Sequence, residues 1–224
     1  MTEQQFNYHA ADIKSPYETR DSTRYEDNVE DPAYLYGPGC CYFIPSFRGK
    51  SSIDPKEFTK YLETILDNRF KNPLDIRHQD MYLETVDNKP VNELALKLGN
   101  EVMTAAEEWT GLKMSINSHM WTIKHDYLHQ TYPHAHLNAE QPGAIRWAVV
   151  YWAKVPENSG LLELYPRGLG NSTTYIVPRE GDFFIFPDWL HHGVREHMNE
   201  TEQRISCSFN IVGVPPEDDE LPVT

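Results

Sequence analysis

The sequence predicts a mainly β domain, a sandwich or barrel, with two helices packed on one of its sheets. From Leu112 onward, short apolar runs alternate with turn residues, which is the pattern of a chain folded into many short strands. Two helical segments with apolar stripes precede these runs and could cover one sheet. At 224 residues, of which 39% are hydrophobic, the chain can bury one sizeable core.

Residues 1–38 are polar and mixed in charge, and the turn-forming sequence Tyr36-Gly-Pro-Gly39 closes this region. We expect these residues to form an extended or partly ordered N-terminal arm. Residues 39–224 are expected to form a single domain, with a helical part at 50–111 and a β core at 112–213. A first strand is predicted at 41–45, where Cys41-Tyr-Phe-Ile-Pro45 is rich in strand-forming residues.

The helical part has two segments. Asp54 followed by Pro55 is a typical helix start, and the helix is predicted to continue to about residue 69. A second helix is predicted at 91–109 and should end at Gly111. The predicted strands of the β core are 113–124, 145–155, 160–165, 173–177, 182–186, 191–196 and 203–212.

Charge and cysteine content exclude several function classes. A net charge of −14 repels phosphate backbones, so no bulk nucleic-acid binding is expected. Three cysteines do not make a disulfide framework, and no apolar run is long enough to span a membrane. The N-terminus has no basic, apolar signal sequence. The chain is therefore expected to be cytoplasmic and to have no membrane partner.

Three histidines form a candidate metal site. His134 and His136 are two residues apart, so on a strand they point to the same face and can bind one ion together. His192, after a later strand, could complete a facial set and leave positions open for O₂ and substrate. Neutral imidazoles suit iron, zinc and copper alike. Period-two spacing does not choose between His192 and the adjacent His191.

Arg204 and Ser206 form a second candidate site. On a strand these residues face the same way, so a guanidinium and a hydroxyl converge on one spot. The guanidinium fork fits a carboxylate. If the strand lies beside the histidines, Arg204 could hold a carboxylate near the metal.

Residues from about 120 to 212 resemble a family of 2-oxoglutarate/Fe(II) oxygenases found in marine bacteria and phages. The shared order of loose motifs carries the resemblance: Pro133-His-Ala-His136, Val149-Val-Tyr-Trp-Ala-Lys-Val-Pro156, Ser159-Gly-Leu-Leu162, Tyr165-Pro-Arg167, Glu180-Gly-Asp-Phe-Phe-Ile-Phe-Pro-Asp-Trp-Leu190, His192-Gly-Val194, and Arg204-Ile-Ser206 through Phe209-Asn210.

The resemblance implies a double-stranded β-helix, or jelly roll, with iron bound by His134 and His192. It also implies 2-oxoglutarate anchored by Arg204 and Ser206. Where the wider superfamily has an acidic ligand, this chain has His136, so either three imidazoles bind the iron or a nearby carboxylate such as Glu140 replaces His136. The implied activity is a Fe(II)/2-oxoglutarate-dependent dioxygenase that uses O₂ to hydroxylate a small-molecule or peptide substrate, with release of succinate and CO₂.

Two other functions fit parts of the pattern. His134, His136 and Glu140, with Pro187 before His192, resemble the metal motifs of cupins, which share the jelly-roll architecture. A cupin would be a dioxygenase or isomerase without 2-oxoglutarate, with Glu140 as ligand and Arg204 only structural, but the expected glycines are missing. The other alternative is a non-catalytic β-sandwich binding module with incidental histidines, which would purify without stoichiometric iron.

Overall fold

The structure is a computed structural model that describes residues 13–14, 32–35, 44–67, 79–86, 89–117, 119–136, 145–166 and 173–214. Within these ranges the chain has two helices, α1 (Pro55–Asp67) and α2 (Glu93–Thr110). The strands are β1 (Ile13–Lys14), β2 (Pro32–Leu35), β3 (Ile44–Lys50), β4 (Gln79–Tyr82), β5 (Thr85–Val86), β6 (Lys89–Pro90), β7 (Lys113–Ile116), β8 (Trp121–His125), β9 (Thr131–His134), β10 (Ile145–Lys154), β11 (Leu162–Tyr165), β12 (Thr174–Ile176), β13 (Asp182–Pro187), β14 (His191–Val194) and β15 (Arg204–Val214).

The strands form two main antiparallel sheets. The five-stranded sheet has the order β1-β12-β11-β14-β9. The eight-stranded sheet has the order β2-β3-β13-β10-β15-β8-β4, with β7 also paired to β15. From β8 to β15 the chain passes from one sheet to the other at each step except β11 to β12, which are neighbours in the five-stranded sheet. This arrangement confirms the predicted jelly-roll fold.

Two apolar layers hold the fold together. One fills the space between the sheets and includes Trp152, Leu164 and Phe184. The other lies on the outer face of the eight-stranded sheet, where Phe58 and Leu62 of α1 and Leu98 of α2 are fully buried. The helices thus pack on one sheet, as the sequence predicted. No helix in the described ranges is long and apolar enough to cross a membrane.

The helix ends follow from capping residues. The Asp54 side chain accepts a hydrogen bond from the Lys56 amide at the start of α1. The Asn92 side chain accepts from two backbone amides at the start of α2, so this helix begins later than the predicted residue 91. Gly111 ends α2 in the left-handed conformation, with φ 72°, as expected for a glycine at this position. Residues 68 and 69 of the first predicted helix lie outside the described residues.

Two strand predictions were wrong in detail. The predicted strand 113–124 is two strands, because β7 pairs with the end of β15 and β8 with its beginning. The regular pairing with β15 is interrupted between Ile116, which pairs with Ile211, and Trp121, which pairs with Ser208. Strand β9, which contains Pro133, was not among the predicted strands of the β core, although the metal-site prediction assumed that His134 lies on a strand. Strand β9 lies at the edge of the five-stranded sheet, where a proline is tolerated.

Strands β1 and β2 lie within the predicted N-terminal arm. The predicted first strand overlaps β3 only at residues 44 and 45. Strand β1 pairs with β12, and β2 pairs with β3, so two short pieces of residues 1–38 join the sheets. Strand β3 covers Ile44–Lys50, whereas a strand was predicted at 41–45. Residues 41–43 and the rest of the arm lie outside the described residues.

Candidate active site

Two of the predicted metal ligands face each other across neighbouring strands. His134 ends β9 and His192 lies on β14, and the two are direct partners in the antiparallel register. Side chains of directly paired residues lie on the same face of a sheet, so both imidazoles point the same way. Their ring centroids are 4.4 Å apart. The sheet pairing therefore brings together two histidines that are far apart in sequence.

His136 reaches the same point from just beyond β9. Its backbone amide donates to the carbonyl of Asp188, in the turn between β13 and β14, at 2.9 Å. Its side-chain Nδ1 donates to Oδ1 of Asn210 on β15, at 2.7 Å. The ring centroid lies 5.2 Å from that of His134 and 4.9 Å from that of His192. The backbone of His136 is thus held by the turn after β13, and its ring by β15.

Hydrogen bonds set the same tautomer in all three rings. Nδ1 of His134 donates to the Tyr132 carbonyl at 2.9 Å, and Nδ1 of His192 donates to the Leu190 carbonyl at 2.8 Å. With Nδ1 of His136 bound to an amide oxygen as well, each Nε2 is left with its lone pair. Such partners on the outer nitrogen are typical of metal-binding histidines.

The lone pairs converge on one point. One nitrogen from each of the three histidines lies within 4.8 Å of the others, and Nε2 of His134 is 3.2 Å from Nε2 of His136. Two lone pairs at that distance repel unless a cation lies between them. Two nitrogens at ~2.1 Å from one metal and at right angles to each other would be about 3 Å apart. The three side chains therefore fit a facial metal site.

Burial favours the neutral form of His192 and His136, which is the form that binds metal. Desolvation, together with the smaller effect of the neighbouring imidazoles, lowers the pKa of His192 to about 3. Burial also lowers the pKa of His136, against the opposing effect of its bond to Asn210.

The sequence left two choices of metal ligand open, and the structure describes the residues of one of them, His191 and His192. His192 is a member of the histidine cluster, whereas the adjacent His191 is not. Neighbouring residues on a strand point to opposite faces, so only one of this pair can reach the site. Glu140, the alternative third ligand, lies outside the described residues.

Arg204 and Ser206 lie in the same cavity as the histidines, which we call the active-site cavity. It is lined by the three histidines, Arg204, Ser206 and Ser208, together with apolar side chains from both sheets. Arg204 is fully buried, and burial lowers its pKa to about 10, so it stays charged at neutral pH. Its Nη1 donates to Ser206 Oγ at 3.4 Å and to His125 Nδ1 at 3.2 Å.

Arg204 is charged but has no acidic partner among the described residues. Its Nε and Nη2 atoms are buried without a hydrogen-bond partner. A buried donor without a partner costs ~1–3 kcal/mol, and more when the group is charged. A guanidinium held this way inside a cavity fits an anionic ligand that supplies the missing acceptors.

The alternation along β15 explains how one strand serves both the core and the cavity. Arg204, Ser206 and Ser208 line the cavity, and Asn210 reaches His136. The residues between them are buried against the helices: Ile205, Cys207, Phe209 and Ile211. A strand buried on both faces normally reads as continuously apolar, so polar residues at every second position mark a functional face.

Sequence reasoning missed two residues that this alternation makes visible. Asn210 was part of the resemblance but had no assigned role. His125 ends β8, one residue beyond the predicted strand 113–124, so it was not placed on the cavity face. It directly pairs with Arg204 across the sheet. The period-two pattern of β8 and β15 was the signal for both residues.

The comparisons with known proteins concern the family and the fold. The sequence matches the profile of a family described as "Putative 2OG-Fe(II) oxygenase" over residues 166–210, a segment that contains His192, Arg204 and Ser206 but not His134 or His136. No curated protein sequence matches the chain.

Several solved structures share the fold. The viral collagen prolyl hydroxylase vCPH of Paramecium Bursaria Chlorella virus-1, in complex with 2OG, is 13% identical, with a TM-score of 0.53 over 75% of this chain and 96% of that one. A Pseudomonas putida prolyl-4-hydroxylase is 11% identical, with a TM-score of 0.53 over 77% and 93%. HygX of Streptomyces hygroscopicus, with nickel and 2-oxoglutarate bound, is 13% identical, with a TM-score of 0.54 over 76% and 83%.

Over residues 166–210 the chain is similar to a family of 2-oxoglutarate/Fe(II) oxygenases, and its fold is consistent with that similarity. At identities this low, the solved structures establish the fold alone. The short family match supplies the link to the oxygenases, and the cofactors expected from the sequence, Fe(II) and 2-oxoglutarate, are those of the family.

Proposed function

We propose that this oxygenase binds Fe(II) through His134, His136 and His192, and holds the far carboxylate of 2-oxoglutarate with Arg204 and Ser206. The observation that carries the proposal is the presence of both groups in one cavity. Three Nε2 lone pairs face a common point, and a buried guanidinium with two unpartnered nitrogens lies deeper in the same space. A 2-oxo dicarboxylic acid fits both, because one end chelates a metal and the other needs a cationic partner.

The bound iron and 2-oxoglutarate supply the oxidising power: with O₂, the 2-oxo acid loses CO₂ to give succinate, and one oxygen atom enters a substrate C–H bond. The residues of this chain hold and orient the reactants. The two carbonyls and Asn210 hold the proton of each neutral imidazole on Nδ1 and so aim Nε2 at the metal. Ser206 accepts a hydrogen bond from Arg204, so its own hydroxyl proton is available to a carboxylate.

The same observations count against a cupin without 2-oxoglutarate. In that alternative Arg204 would only support the fold, and a structural arginine at this depth would have an acidic partner. Arg48 shows the difference, since it is also buried and lies 3.9 Å from the carboxylate of Asp182. Arg204 has only neutral partners among the described residues.

The substrate is expected to be a small molecule or a peptide. The structural neighbours include a collagen prolyl hydroxylase and HygX with hygromycin B bound, so the fold accepts both classes. A cytoplasmic location would suit the chemistry, because a reducing compartment keeps iron ferrous and Cys207 as a free thiol.

Succinate formation tests the proposal. The purified protein, loaded with Fe(II), should convert 2-oxoglutarate to succinate in the presence of O₂, slowly alone and faster with a substrate. His192→Ala should lose iron and turnover. His191→Ala is the matched control, because it removes the adjacent imidazole outside the cluster, and it should keep both. Equal iron loss in the two variants, or wild-type protein that forms no succinate, would contradict the assignment.

A further inference from the structure

His125 is a buried imidazole in direct contact with Arg204. It is fully buried at the end of β8, opposite Arg204 in the sheet register. Its Nδ1 lies 3.2 Å from Nη1 of Arg204, and its Nε2 lies 2.9 Å from Oγ1 of Thr131. Thr131 begins β9, the strand that carries His134. The imidazole therefore connects the arginine in one sheet with the metal-binding strand in the other.

The chemistry of the partners fixes the protons on His125. A guanidinium has donors only, so Nδ1 of His125 must accept the hydrogen bond from Arg204. The ring is then neutral, and its proton is on Nε2, which donates to the Thr131 hydroxyl oxygen. A protonated ring would face the guanidinium with a second positive charge in a buried space. The geometry thus requires a neutral His125.

A neutral partner orients Arg204 without cancelling its charge. The bond to His125 fixes Nη1, and Nε and Nη2 remain without partners among the described residues. An aspartate in place of His125 would also accept the hydrogen bond, but it would pair with the guanidinium and repel an incoming carboxylate. Arg48 is balanced in this way by Asp182, whereas Arg204 is not.

We propose that His125 is a positioning residue for 2-oxoglutarate. It directs the Arg204 guanidinium toward the far carboxylate while leaving the full positive charge available to that ligand. The inference rests on the proposed function of Arg204 and adds the residue that sets its orientation and charge. It predicts that the preference for a dicarboxylate depends on His125, whereas metal binding does not.

A binding ratio isolates this effect. 2-Oxopentanoate has the same chain length as 2-oxoglutarate and the same metal-chelating end, but it lacks the far carboxylate. Both acids are titrated calorimetrically into the Fe(II)-loaded full chain without O₂. The quantity compared is the dissociation constant of 2-oxopentanoate divided by that of 2-oxoglutarate. That ratio measures the contribution of Arg204 and its neighbours without relying on turnover.

Three substitutions separate orientation from charge. His125→Asn places an acceptor near the position of Nδ1 and should largely keep the wild-type ratio. His125→Leu removes the acceptor, and the ratio should fall about tenfold, as expected for one lost orienting hydrogen bond. His125→Asp keeps the acceptor but balances Arg204, so the ratio should fall further than in the leucine variant while the fold remains stable. His129→Asn, on a histidine outside the cavity, is the control and should behave as wild type.

The outcomes distinguish this inference from the proposed function. If wild-type protein shows no preference for 2-oxoglutarate, the assignment of Arg204 fails, and the role of His125 fails with it. If wild-type protein shows the preference and the leucine and aspartate variants keep it, Arg204 binds the ligand but His125 has no positioning role. A drop in stability in all three variants with an unchanged ratio would show a purely structural histidine and would also overturn the inference.

Discussion

Replacing Arg204 with methionine should weaken 2-oxoglutarate binding without destabilising the protein in its absence. Truncating one partner of a buried, charge-assisted pair costs ~2–5 kcal/mol of binding energy, which is a loss of affinity of roughly 30-fold to several thousand-fold. In the ligand-free protein, the substitution also removes two buried donors that have no partner within the described part of the chain. Each such donor costs ~1–3 kcal/mol, which offsets the lost bonds to His125 and Ser206.

Thermal unfolding measures both effects. At a 2-oxoglutarate concentration 100 times the wild-type dissociation constant, ligand binding stabilises the protein by ~2.7 kcal/mol. For a domain of this size, that corresponds to a rise in Tm of about 5–11 °C. A variant with a 30-fold weaker affinity would gain only ~0.9 kcal/mol, or about 2–4 °C, at the same concentration. Arg204→Lys keeps a positive charge but loses the forked donor geometry of the guanidinium. Its rise in Tm with 2-oxoglutarate should lie between that of the wild type and that of the methionine variant.

Two results would refute this reasoning. A methionine variant that gains as much Tm from 2-oxoglutarate as the wild type would show that Arg204 does not contact the ligand. A ligand-free variant less stable than wild type by more than ~2 kcal/mol would show that the arginine stabilises the fold through its neutral partners, contrary to the expected cost of unpaired donors. Iron content, measured in parallel, should be unchanged.

Further substitutions test the metal site. His136→Ala should lose iron, whereas His136→Asp should restore the superfamily's acidic ligand and retain part of the iron. Metal analysis of both variants checks this. Full iron content in the alanine variant would show that His136 is not a ligand. Asn210→Ala should weaken iron binding by ~10–100-fold, because the outer nitrogen of His136 loses its partner; a competitive chelator titration measures the change. Gly193→Ala should destabilise the fold by ~1–3 kcal/mol and lower iron content, because the added Cβ would lie 2.7 Å from the Thr131 carbonyl oxygen. Denaturant unfolding and metal analysis measure the two effects. Wild-type stability with full iron loading would contradict the close contact between Gly193 and Thr131.

The sequence predicted the elements that depend on local pattern. Gly111 and Asp54 mark helix ends through their own backbone and side-chain chemistry, so both positions were correct. The spacing of His134 and His136 placed them on one face, and the structure brings them together with His192. The choice of His192 over His191 came from the resemblance, because two adjacent strand residues carry no local signal that separates them.

The features that the sequence analysis did not predict depend on pairing between strands that are far apart in sequence. Strand β9 contains a proline and is short, and only its position at the sheet edge beside β14 makes it a strand. The break after β7 follows from how two strands share β15, which no local pattern in 113–124 reveals. His125 contacts Arg204, and Asn210 contacts His136. Each pair is far apart in sequence, so the contact was not visible in the local pattern.

The charge of the active-site cavity connects these observations. The chain as a whole carries a net charge of −14, yet the groups that line this cavity are three neutral imidazoles and an arginine with neutral partners. With Fe(II) bound, two positive units from the metal and one from Arg204 are left for ligands to balance, whereas an acidic third ligand would already cancel one of them. Doubly charged 2-oxoglutarate matches such a cavity better than a neutral or singly charged ligand, because buried charges require compensation. In the proposed function, His136 and His125 would therefore act in the same direction, because each is a neutral residue at a position where a carboxylate would weaken binding of the dicarboxylate.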